Sequence, residues 1–149
     1  MEEQNLLGDI EHHIHEQQAK KYQKKIKRGR AMILIIALLN IITLSRGLEI
    51  YERGSYKLTM AGSVAVAYFI FFLISIQKTY LSLLLATISY SLITIYTIAN
   101  KILLLSPVLF NGTVSQYHFM LLSDVVMGSV ILYFLIGGAN AAKKYDELQ

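Results

Sequence analysis

Long uncharged, mostly apolar stretches alternate with short polar ones along this chain. No Asp, Glu, Lys or Arg occurs in Ala31–Ser45, Leu58–Gln77, Thr79–Asn100 or Val125–Ala142. A helix that crosses a bilayer needs about 20 consecutive, predominantly apolar residues. The second and third runs meet this alone. The fourth meets it once it reaches back through Asp124 to His118, and the first once it continues past Arg46 towards Ile50. Long basic side chains near a helix end snorkel to the interface, so neither extension is forbidden. The pattern predicts four helices, at about 29–50, 58–77, 79–104 and 118–141. The fold class expected is all-α: a polytopic membrane protein built as an antiparallel four-helix transmembrane bundle.

The segment ahead of the first run has a different rhythm. Leu6, Leu7, Ile10, Ile14, Gln18, Tyr22 and Ile26 recur at helical spacing, with polar and basic residues on the other faces. This predicts a juxtamembrane amphipathic helix over about 1–28 lying on the cytoplasmic leaflet, with Gly29 near its junction with the first span. The expected organisation is a basic tail (1–28), a four-helix domain (29–141) and a short cytoplasmic tail (142–149).

The connections are unequal. Gln77-Lys78 leaves room only for a very tight turn, so the second and third helices should be antiparallel neighbours. The first outer connection is polar, with Arg46, Glu49, Glu52, Arg53 and Lys57 around Gly47 and Gly54. The second, about 105–117, contains the sole proline, Pro107, and an Asn111-Gly112 turn signal. Asn111-Gly112-Thr113 also fits a glycosylation sequon, but so close to both helices it reads as a turn.

Composition supports a membrane class. Hydrophobic residues make up 54% and charged residues 16%, against roughly 25% charged in soluble domains. Mean hydropathy is +0.47. Net charge is +4, and the excess is local: Lys20, Lys21, Lys24, Lys25, Lys27, Arg28 and Arg30 precede the first span. Beside a membrane helix such a block is a topology signal that also touches anionic lipid headgroups, rather than a nucleic-acid site. With both termini cytoplasmic, ten of the fourteen Lys and Arg lie inside, which also suits a plasma or inner membrane. No stretch reads as a cleavable signal peptide, so the first helix is expected to act as the anchor. The absence of cysteine removes disulfide and thiolate chemistry.

Asp124 is the residue that raises a functional question. A carboxylate at membrane depth is costly and normally faces a partner inside a bundle. It lies about 9 Å below His118 at a rise of ~1.5 Å per residue. Thr94, Ser63 and Thr43 are expected about 8 Å from the same edge, with Asn40 one turn deeper. Thr87, Ser91, Thr94 and Thr97 form a hydroxyl stripe ending near Lys101. The expectation is a polar layer of Asp124, Thr94, Ser91, Ser63, Thr43 and Asn40, with Lys101 reaching Asp124 and Gly128 permitting close helix approach. The competing reading of the hydroxyls is that each bonds its own backbone one turn back.

Small residues mark contact faces: Ala61 with Ala65, Ser63 with Ala67, Gly137 with Ala141, and Gly138 with Ala142. His12 and His15 share a helix face and are weak metal candidates; no metal or cofactor is expected. No H-E-x-x-H, nucleophile elbow, P-loop or dinucleotide fingerprint occurs in the sequence. The expected function is therefore non-enzymatic: an accessory or interaction component of a membrane assembly, contacting a protein partner or itself. The alternative is a small transporter or channel subunit that uses Asp124.

Overall fold

The structure, a computed structural model, describes the backbone of residues 2–50, 56–109 and 115–148, and side chains at 13–45, 59–103, 119 and 121–148. The described residues form four α-helices: α1 (Glu2–Ile50), α2 (Tyr56–Gln77), α3 (Thr79–Leu109) and α4 (Ser115–Asp146). All four are long and apolar enough to cross a membrane, the pattern of an integral membrane protein. The polar connection around Arg53 and Gly54, the expected turn at Asn111-Gly112-Thr113 and the side chain of His118 lie outside the described residues.

Helix boundaries differ from the sequence reading most at α1 and α3, and also at α4, which runs over Ser115–Asp146 rather than 118–141 and so takes in most of the expected tail. α1 is a single element of 49 residues with no break at Gly29. At ~1.5 Å per residue it is about 74 Å long, more than a bilayer can cover. α3 continues through Pro107 to Leu109 instead of ending near 104. A proline forfeits one backbone hydrogen bond. Two residues from the helix end, that loss interrupts little of the ladder, and the apolar run Ile102–Leu105 favours continuation.

Each helix packs against its sequence neighbours, and α4 closes the ring against α1. α1 and α3 meet briefly across the diagonal, whereas α2 and α4 do not meet among the described residues. The paired residues fix the registers: Tyr68 with Ala86 and Ser89, Phe71 with Ser82, Leu44 with Gly62, and Gly29 with Gly138. Between α2 and α3 only Lys78 is non-helical. Its N–H donates to the Ile74 carbonyl (2.8 Å) and its carbonyl accepts from Ser82 N–H (3.1 Å), so one residue ends α2 and starts α3.

The core lies towards the end that carries the basic residues. Ile33, Ile36 and Ala37 of α1, Tyr68 of α2, Leu83 and Ala86 of α3, and Ile131, Leu135, Ala139, Ala141 and Ala142 of α4 are buried together. α1 and α4 approach closely at a pair of glycines. A Cβ built on Gly138 would stand 3.0 Å from the Gly29 Cα, and one on Gly29 would stand 3.1 Å from the Gly138 Cα. Gly29, read from sequence as a junction, is thus a close crossing point at which any side chain would push the two helices apart. Small residues allow such approach where lipid tails remove any hydrophobic drive between helices. Ala61 and Ala65 are buried as well, while Ser63 is exposed.

Towards the other end the described residues are less well packed. Leu92, Ile95, Leu103, Phe119 and Leu122 are all more than 60% exposed. In water this surface would be untenable for a monomer; in lipid it is the ordinary outer face of a spanning helix.

Candidate functional site

Asp124 stands on α4 at the open end, facing α3. The Lys101 ammonium donates to Asp124 Oδ2, and the two form a salt bridge. The pair is not sealed: the two side chains remain 39% and 36% exposed, respectively. One turn along α4, Gly128 lets Thr94 lie directly against the helix. A Cβ there would meet Thr94 Cγ2 at 2.9 Å. Beside the pair is a cleft of about 170 Å³ lined by Tyr90, Thr94, Thr97, Asp124, Met127 and Gly128, among others. Both α3 and α4 contribute polar and apolar residues to it, and it opens outwards between them.

The structure brings together Asp124, Lys101 and Thr94. It does not bring the remaining members of the expected layer to them. Ser63 donates to the Met60 carbonyl, Thr43 to Leu39 and Asn40 to Ile36, each at 2.9 Å on its own helix. Ser63 and Thr43 are exposed. Ser91 donates to the Thr87 carbonyl (2.8 Å) and Thr97 to Ile93 (2.8 Å). The physical reason is proximity: a carbonyl one turn back is always within reach of a helical Ser or Thr. Without contact between α2 and α4, Ser63 has no route to Asp124.

Other polar contacts, which the sequence reading did not single out, fasten the packed end. The Tyr68 hydroxyl shares a hydrogen bond with Ser89 Oγ (2.9 Å) and reaches the Ala86 carbonyl (3.3 Å). The fully buried Ser82 hydroxyl donates to the Phe71 carbonyl, and the fully buried Ser75 hydroxyl to Phe72 (2.6 Å). A signal was present: Ser75 and Ser82 flank the single turn residue Lys78 on either side.

The basic block divides. Lys20, Lys21, Lys24, Lys25, Lys27 and Arg28 are exposed, and Lys20 pairs with Glu16 at 2.7 Å along the helix. Arg30 is half-buried instead, and its Nη2 donates to Thr79 Oγ1 at the start of α3 (2.5 Å). Its Nε is shut from solvent with no acceptor among the described residues. His15 is exposed, and the His12 side chain lies outside the described residues. Among the described residues no three His, Cys, Asp or Glu gather as a metal site would require.

No protein-family model matches this chain, and no curated protein or solved structure matches it either.

Proposed function

We propose that this protein is a non-enzymatic component of a membrane assembly, working through lateral contact with a second membrane protein or a second copy of itself. The observation that carries the reading is the Lys101–Asp124 pair, left more than a third exposed between two otherwise uncharged spans. Desolvating two charges costs several kcal/mol per ion, and lipid tails offer nothing in return. A neighbouring protein that covers the pair with hydrogen-bonding groups would remove that cost. Burial inside the monomer covers only 17–22% of each spanning window, which leaves ample helix surface for such a contact.

The arrangement proposed is an antiparallel transmembrane bundle in a plasma or inner membrane, with both termini cytoplasmic. Registers that run in opposite directions along consecutive helices support it, as does the basic excess at one end. The part of α1 before Gly29 is proposed as an amphipathic cytoplasmic extension. Its exposed lysines lie where anionic headgroups concentrate, and its apolar positions, such as the exposed Ile14, offer a partner-binding stripe.

A second reading, as a small transporter or channel subunit, rests on the hydroxyl-lined cleft beside Asp124. Lys101 weighs against it, because a carboxylate neutralised by a resident ammonium is a poor ion or proton carrier. One experiment separates the two. Asp124→Asn and Lys101→Gln each strand a charge, a loss of about 3–5 kcal/mol for a desolvated pair. Both should lower the assembled fraction seen by light scattering in mild detergent, and the double variant should restore it. Under the transport reading the double variant instead stays inactive in proteoliposome flux, because the titratable carboxylate is gone. A parent protein that is monomeric, with no co-purifying partner, overturns the assembly reading.

A further inference from the structure

At the basic end, where α1, the start of α3 and the end of α4 converge, lies a cleft of about 460 Å³. Its polar lining is Gln23, Lys27, Arg30, Thr79, Tyr145 and Asp146. Three features of this lining are unusual for a surface groove. Arg30 turns inwards from a block whose other members are exposed, and it is held by Thr79. Its Nε is closed off from solvent with no acceptor among the described residues, so contact with a ligand falls to the Nη nitrogens. Lys27 stands on the same wall, one turn before Arg30, and has no ion-pair partner among the described residues. Finally, Gln23 Nε2 donates to the Tyr145 hydroxyl (3.0 Å). That bond fixes the ring and leaves the phenolic hydrogen available to a ligand.

We infer that this cleft is a binding site for a phosphate group, distinct from the diffuse basic face of α1. A guanidinium presents its donors in a planar fork that fits phosphate oxygens, and Lys adds a mobile point charge. The Tyr145 hydroxyl adds a neutral donor beside the two cations, while the Thr79 hydroxyl, which donates to the Ser75 carbonyl (3.0 Å), only holds Arg30 in place. Asp146 on the rim opposes an anion but suits the hydroxyl or ammonium group that many phosphodiesters carry beside the phosphate. At ~30 Å³ for each water of liquid volume, the cleft holds the equivalent of about fifteen waters, enough for a phosphodiester headgroup. Its level, beside the last apolar residues of α4 and the first of α3, is the boundary at which lipid headgroups sit. The inference rests on the membrane placement proposed above and is independent of lateral assembly. A soluble phosphate ester offers the same chemistry, so the test carries both sources.

The full-length protein in an uncharged detergent is titrated calorimetrically with a short-chain phosphatidylglycerol, with inorganic phosphate, and with a short-chain diacylglycerol that lacks phosphate. Saturable one-site binding of at least one phosphate-bearing probe is expected, with none for diacylglycerol. Binding of the lipid alone identifies a headgroup site. Competitive binding of inorganic phosphate identifies a site for soluble esters. Lys27→Gln removes an exposed side chain and leaves the packing intact; with Arg30→Gln, it should weaken binding ~10-fold or more, as expected for a lost charge-assisted contact. The double change Lys20→Gln with Lys21→Gln removes more charge from outside the cleft and should shift the affinity less than ~2-fold at physiological salt, where exposed charges are screened. Equal weakening in all three variants, equal binding of diacylglycerol, or no saturable binding overturns the site. The assembled fraction of Lys27→Gln should equal the parent's, so failure here is distinguishable from failure of the assembly reading.

Discussion

Gly29 and Gly138 decide how closely α1 and α4 approach, and a neighbouring glycine provides the control. At Gly138 a Cβ meets Gly29 backbone at 3.0 Å and Leu83 at 3.5 Å, so the helices themselves must separate. At Gly137 nothing lies within 4 Å. Gly138→Ala is expected to destabilise the bundle by about 1–3 kcal/mol, the usual cost of overpacking. Gly137→Ala should be neutral or stabilising by up to about 1 kcal/mol, because alanine fixes helical backbone at a smaller entropic cost. Unfolding in mixed detergent micelles measures both; equal effects would mean that the crossing is not close. The small-residue spacing in the sequence named both glycines alike. Which one faces a neighbour depends on the rotation of α4, and that is set by the whole helix. Tyr68 is a milder case. Tyr68→Phe removes the bond to Ser89 and should cost about 0.6–1 kcal/mol, the range for interhelical hydrogen bonds in membrane bundles. Pairing it with Ser89→Ala in a double-mutant cycle isolates that contact; a coupling of zero would show that the hydroxyls do not interact.

At the scale of the element, α1 is where sequence pattern and structure differ most. Its composition changes sharply near Gly29, from basic and polar to apolar, and a change of environment resembles a change of element. Backbone hydrogen bonding takes no account of that change. Gly29 costs a helix only about 1 kcal/mol, too little to break 49 residues of otherwise good helix-forming sequence. Spin labels at Ile14 and Ile35 test this in lipid nanodiscs. One continuous helix separates their backbones by about 32 Å at ~1.5 Å per residue. A right-angle bend at Gly29, which would lay the first part on the leaflet, brings them to about 24 Å by the same rise. The shorter distance would restore the surface-helix arrangement. The one-residue turn at Lys78, by contrast, was legible, because a single charged residue between two spans admits only adjacent helices.

For the molecule as a whole, sidedness is the property on which the functional proposals depend. Ten of the fourteen basic residues lie on one side if both termini are cytoplasmic. Single cysteines replacing Gln4 and Glu147 should then resist an impermeant thiol reagent in intact cells, while one replacing Ser55 should react; the natural chain has no cysteine to interfere. Labelling at Gln4 would invert the orientation and move the phosphate cleft and the exposed ion pair to opposite faces of the membrane. Among the described residues, the packed core lies at the same end as the basic residues, and the opposite end is more open. The described bundle is therefore asymmetric along its long axis. Its closed end presents a polar cleft, and its open end presents an ion pair.

By itself the sequence determined that the chain is helical, how many apolar spans it has, and that Lys101 and Asp124 could meet. Those properties follow from run length, from periodicity and from the cost of a lone charge in lipid, all of which are local. Only the tertiary structure decided which polar residues share a site. Ser63, Thr43 and Asn40 matched Asp124 in expected depth, yet each turned to a carbonyl of its own helix. Arg30 belonged by sequence to the lipid-facing block, yet it turned towards Thr79. Depth along a helix is fixed by counting residues, whereas rotation about its axis is fixed by the neighbours it packs against. The second quantity chooses between a side chain's own backbone, the lipid and a partner.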